Sequence, residues 1–140
     1  MERRPKPIGF LLNRTDEALT RVMDGTLGEF GLTRLAWQVL NVVEDGDGTT
    51  DAEVLSVLSA NADAPALTAA IDTAVTGGWV SRPAPGRLAL TPDGTRRLTE
   101  VGTRVAAFRA RSVEGISPEE YGTAVRVLER MIENLEGPQA

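Results

Sequence analysis

The chain has 140 residues, one domain's worth, with a net charge of −5 and a sequence pI near 4.8. It holds neither cysteine nor histidine, which excludes disulfides, thiol redox chemistry, the usual zinc sites and the commonest general base. No apolar run reaches the roughly 18 residues of a membrane span, and the charged start is followed by too short an apolar stretch for a signal peptide, so a cytoplasmic location without membrane partners is expected.

Residues 1–7 are basic and broken by proline: Arg3, Arg4 and Lys6 among Pro5 and Pro7. They read either as a disordered arm or as an arm touching phosphates or a partner. A first helix is expected from Ile8 to Phe30, with Ile8, Leu11, Leu12, Leu19, Val22 and Leu27 near one stripe. Gly31 closes it, and Leu32-Thr33 opens a second helix to about Asp45 that buries Ala36, Val39, Leu40 and Val43. The loop Glu44-Asp45-Gly46-Asp47-Gly48 alternates carboxylates, but it lacks the ligand number and the late glutamate of a calcium loop.

The stretch 49–91 organises the rest. Thr49 or Thr50 starts a third helix, Asp51 to about Ser59, with Val54, Leu55 and Leu58 on one face. Asn61 marks a sharp turn, where a left-handed backbone is expected. Asp63 caps a fourth helix, 64–77, with Pro65 in its first turn and Leu67, Ala70, Ile71, Ala74 and Val75 recurring every three or four residues. Gly77-Gly78 stops it. Trp79-Val80-Ser81 and Leu88-Ala89-Leu90 are short strands about a turn at Pro83–Gly86. Helix, turn, helix and hairpin make a winged helix, whose second helix is of the kind that enters a major groove. The expected fold is therefore mainly α with a small β-hairpin wing.

After the wing, Thr91 and Pro92 open a fifth helix to about Val113, striped by Leu98, Val101, Val105 and Phe108. Ser117-Pro118-Glu119-Glu120 is a capping-box start. The sixth helix carries Tyr121, Val125, Leu128, Ile132 and Leu135 in alternating steps of four and three, a narrow seam suited to a partner helix, and Gly137-Pro138 ends it. Packing within one subunit is the alternative use of that seam.

Several pieces come in a familiar order: Gly31-Leu32-Thr33, Trp37-Gln38-Val39-Leu40, Thr50-Asp51-Ala52-Glu53-Val54, Gly78-Trp79-Val80 and Leu90-Thr91-Pro92-Asp93-Gly94. Their order and spacing resemble the MarR family of bacterial winged-helix transcription regulators, from about Ile8 to Leu135. The resemblance implies one MarR-like domain over 1–140, with a DNA-binding lobe at 32–91 and dimerisation helices at 8–30 and 95–136. Ile8, Leu11, Leu12, Tyr121, Val125, Leu128, Ile132 and Leu135 would line the homodimer interface. Some relatives sense oxidants through cysteine or zinc through histidine; a chain with neither should do neither. Wings of the family carry an Asp-x-Arg element; Arg87 matches its arginine, but Pro85 stands where the aspartate would be, and the wing is shorter.

The candidate DNA contacts are Ala64, Ala66, Thr68, Ala69 and Thr73 on the fourth helix, with Thr50, Ser59 and Asn61 for phosphates and Arg82 and Arg87 in the wing. Alanine can touch a thymine methyl, and threonine can donate, accept or make apolar contact. The fourth helix has no Arg or Lys, and 49–91 holds two arginines against four carboxylates, so a solvated, merely structural helix is the other reading; caps, turn residues and ordinary exposed arginines are the others for the remaining positions. Relatives bind aromatic acids in a cleft, which makes Phe10, Asn13, Arg14, Phe30, Trp37 and Phe108 candidates for a small aromatic or anionic effector, or plain core. No nucleophile elbow, phosphate-binding lysine loop or dinucleotide motif occurs, so no enzyme, cofactor or metal is expected. The expected function is a ligand-responsive repressor that binds double-stranded DNA at a pseudo-palindromic operator. The alternative is a degenerate winged-helix dimer with little DNA affinity, serving as a protein-interaction or ligand-binding module.

Overall fold

The computed structural model describes residues 4, 6–46 and 48–137. Arg3 and Pro5 of the basic arm, Asp47 of the acidic loop and Pro138 after the last helix lie outside the described residues. Among those described, the order is α1 (Ile8–Gly28), α2 (Arg34–Asp45), α3 (Asp51–Val57), α4 (Ala64–Thr76), β1 (Val80–Ser81), β2 (Ala89–Leu90), α5 (Pro92–Ser112) and α6 (Pro118–Glu136). The chain divides into two compact units, Met1–Val105 and Ala106–Ala140.

In the first unit the helix starts are set by short polar side chains. Thr33 accepts from the N–H of Ala36 at 3.1 Å, Thr50 from Glu53 at 3.1 Å and Asp63 from Ala66 at 2.9 Å, each relieving one unpaired donor of a first turn. Thr50, not Thr49, caps α3; Thr49 is buried, and its hydroxyl has no hydrogen-bond partner among the described residues. The core joins Val39, Leu40 and Val43 of α2 to Val54 of α3 and to Leu67, Ile71 and Ala74 of α4, with Met23 and Leu27 of α1 and Leu98, Val101 and Val105 of α5 also buried. Replacing Leu40, which is fully buried, by alanine is expected to cost about 2–5 kcal/mol in a urea unfolding experiment.

The exit of α4 is the sharpest local device. Gly78 takes a left-handed φ of 78°, its N–H donates to the carbonyl of Val75 at 3.1 Å, and that of Trp79 donates to Ala74 at 3.0 Å. This Schellman closure turns the chain so that Trp79 enters the core and β1 begins. β1 pairs antiparallel with β2 in the register Val80↔Leu90 and Ser81↔Ala89. A bridge between Thr50 and Arg87, with Leu88 N–H donating to the Thr49 carbonyl at 2.8 Å, fastens the wing to the start of α3. Thr91 accepts from Gly94 N–H at 2.8 Å, capping α5, and donates to the Gly78 carbonyl at 2.7 Å.

The structure corrects several expected boundaries. α1 stops at Gly28 rather than Phe30, because the Leu27 carbonyl takes the N–H groups of Phe30 and Leu32. α3 stops at Val57 rather than Ser59, closing on Leu58 without a glycine. The strands are two residues each, since the Trp79 N–H closes α4 on the Ala74 carbonyl and the Leu88 N–H goes to the Thr49 carbonyl rather than across the hairpin. Asn61 does not take a left-handed backbone; no described non-glycine residue does.

In the second unit, α6 starts with the expected capping box. The Ser117 hydroxyl accepts from Glu120 N–H at 3.0 Å and the Glu120 carboxylate accepts from Ser117 N–H at 2.9 Å, which holds that carboxyl below its ordinary pKa. None of the described residues of α6 is buried.

Candidate nucleic-acid interface

α4 has two faces. Leu67, Ile71 and Ala74 anchor one in the core, while Ala64, Ala66, Thr68, Ala69 and Thr73, the positions singled out in sequence, are all exposed on the other. Pro65, Asp72 and Thr76, outside the sequence candidates, are exposed on the same side; from sequence, Asp72 is expected to point along the helix or to an arginine. The 3.6-residue period could have placed them there. Thr73 is exposed and donates its hydroxyl to the Ala69 carbonyl at 2.9 Å.

The three phosphate candidates have local partners. Thr50 caps α3, Ser59 donates to the Ser56 carbonyl at 3.1 Å, and Asn61 donates through Nδ2 to Oε1 of Gln38 at 3.2 Å. Gln38, 23 residues away, thereby fixes the turn between α3 and α4. The N-terminus of α4 already holds the Asp63 carboxylate, so an incoming phosphate would meet a negative group there.

The two wing arginines differ. Arg82 makes a bidentate pair with Asp51, at 2.7 and 3.0 Å, with both side chains about one-third exposed (34% and 32%). Hydrogen bonding to Arg82 lowers the Asp51 pKa from its ordinary 3.8, and the same bond raises that of Arg82. The pairing ties the hairpin to the first turn of α3, so a carboxylate absent from the wing is supplied from another element. Because the folded pKa of Asp51 is depressed, this tie contributes fully above the unfolded value and is lost as pH falls through the folded one. We expect the guanidinium NMR signal of Arg82 to change only in acid, below about pH 4, and to show no such transition in Asp51→Asn. Arg87 is exposed, with Nη1 3.5 Å from the Gly48 carbonyl, a long contact that leaves most of its donors outward.

Behind the wing, Arg97 lies over the Trp79 ring at 3.9 Å and donates to the Gly77 carbonyl at 3.3 Å, while Arg96 pairs with Asp93. These cations, not anticipated from sequence, brace the end of α4 and the start of α5.

The effector candidates are divided between the two units. In the first, Phe10, Asn13 and Arg14 are exposed, with Lys6 over the Phe10 ring at 5.0 Å and Arg14 facing Glu17 at 3.5 Å, while Phe30 and Trp37 are half-buried. In the second, Phe108 is half-buried. Of the interface candidates, Ile8, Leu11 and Leu12 on α1 are exposed, as are Tyr121, Val125, Ile132 and Leu135 on α6; Leu128 is half-buried. Sequence reasoning missed Val127 and Ile116, which are also exposed. An open, mostly apolar hollow of about 440 Å³ at the α5–α6 turn includes Val113, Ile116 and Tyr121. No described helix is long and apolar enough to cross a membrane.

No protein-family model and no curated protein sequence matches this chain. Solved structures do. The wild-type apo form of MarR from E. coli is 25% identical with a TM-score of 0.66, covering 92% of this chain and 99% of that one. A MarR mutant from E. coli complexed with operator DNA is 24% identical with a TM-score of 0.69, covering 90% and 94%. A MarR family protein from Mycobacterium tuberculosis in complex with DNA is 24% identical with a TM-score of 0.70, covering 91% and 98%. Over about 92% of its length, through capped helices, an anchored α4 and a tied-down hairpin, the chain has the winged-helix fold of these MarR structures.

Proposed function

We propose that this protein is a transcription regulator that binds duplex DNA as a homodimer, inserting α4 of each subunit into the major groove and resting the wing on the backbone or minor groove. The observation that carries this reading is the two-faced α4. Its inner face is locked by three buried residues, while its outer face presents small side chains that permit close approach to base edges. Solved neighbours of the same fold include two DNA complexes. The exposed apolar positions of α1 and α6 support the homodimer, since patches of this kind on a small chain mark association surfaces. A dimer would place its two groove helices about 34–36 Å apart, matching a pseudo-palindromic operator. Release of DNA by a small anion goes with this reading: Phe10, Asn13 and Arg14 share one helical face and offer a ring, an amide and a guanidinium.

The test is a fluorescence-anisotropy titration of a duplex from the region upstream of the protein's own gene. Sequence-selective binding that weakens steeply with salt is expected. Absence of selective binding even at low salt would sink the DNA reading and leave the protein-interaction module.

A further inference from the structure

The middle of the outer face of α4 follows Pro65, Ala69, Asp72 and Thr76, spaced four, three and four residues apart. Asp72 is the sole charged side chain of this helix. Three nearby acids have local partners: Asp51 holds Arg82, Asp63 caps α4 and Asp93 holds Arg96. Asp72 is exposed and makes no hydrogen bond or ion pair among the described residues; it acts electrostatically on Arg82, whose pKa is raised mainly by the Asp51 hydrogen bond and slightly by Asp72. An exposed carboxylate in the middle of a groove-facing surface repels phosphates and the acceptor atoms of guanine. The base-edge group it satisfies well is an exocyclic amine, and the pairing known for Asp in the major groove is the N4 amine of cytosine. Around it, the hydrocarbon of Pro65, Ala66 and Ala69 and the methyls of Thr68 and Thr73 suit thymine 5-methyl groups.

Resting on the DNA-binding reading above, we propose that Asp72 is the specificity-determining residue of this interface, fixing one cytosine per half-site within an otherwise thymine-rich, methyl-read sequence. The pattern follows from a groove helix with one carboxylate and no cation.

The test begins with selection of binding duplexes from a random pool by the whole protein and by Asp72→Ala, a change at an exposed helical position that alanine favours. The wild-type sites should share a cytosine that the variant's sites do not. In the selected duplex that cytosine is then replaced by a pyrimidinone base lacking the N4 amine. Wild-type affinity should fall about tenfold or more. Asp72→Ala should show no such loss and should bind duplexes without the cytosine more tightly than wild type at low salt, having lost a repulsive charge. Selective binding without a fixed cytosine, or an equal loss in both proteins, overturns the role of Asp72 and leaves the DNA-binding function standing. Recovery of no selective duplex at all overturns both.

Discussion

Gly94→Ala is expected to lower the free energy of unfolding by about 2–4 kcal/mol, against the sign that helix propensity alone would give. Gly94 lies buried in the first turn of α5, and a Cβ there would collide with the main-chain carbonyl of Trp79 and come within 3.0 Å of the Thr91 hydroxyl. Main chain leading into β1 has no rotamer by which to yield. Either α5 withdraws and loses its Thr91 cap, or the β1 entry moves and Trp79 is no longer seated. Gly102 in the same helix is the control, since it is exposed with nothing within 4 Å of an added Cβ. Gly102→Ala should stabilise by about 0.5–1 kcal/mol. Urea unfolding of both variants checks the pair, and equal effects would contradict the close approach of α5 to Trp79.

Arg87→Ala should weaken DNA binding on the order of a hundredfold, since a dimer loses two charge-assisted contacts worth about 1.5 kcal/mol or more each. The slope of log affinity against log salt should shrink by about two. Arg82→Ala should behave differently. Its guanidinium is engaged by Asp51, so it acts as a positioning residue: affinity falls less and the salt slope hardly changes. The stability cost should be below about 1 kcal/mol, because the pair is partly exposed and screened. The reverse ranking in salt-dependent titrations would show that the Asp51 tie opens on DNA and that Arg82 is the contacting cation.

What could be read from the sequence was local. Asp63, Ser117 and the pair Thr91-Pro92 announce helix starts because a cap acts over three residues, and the outer face of α4 follows from periodicity. The end of α3 was misplaced because it closes on Leu58 without a glycine to mark it. The role of Arg82 was hidden because its partner lies 31 residues upstream, and Gln38 steadies Asn61 across 23. A neighbour brought close only by folding leaves no trace in spacing. Asp51 therefore read as an ordinary acid of a first helical turn, although the structure makes it the carboxylate that braces the wing.

The most direct measurement is hydroxyl-radical footprinting of the upstream duplex with the whole protein. Two α4 helices in successive turns of one groove should protect two patches on one side of the DNA, with centres about 34–36 Å apart. Both patches should fade together in Arg87→Ala. A single patch, or uniform cleavage at protein concentrations that saturate binding, would contradict a dimeric winged helix reading duplex DNA.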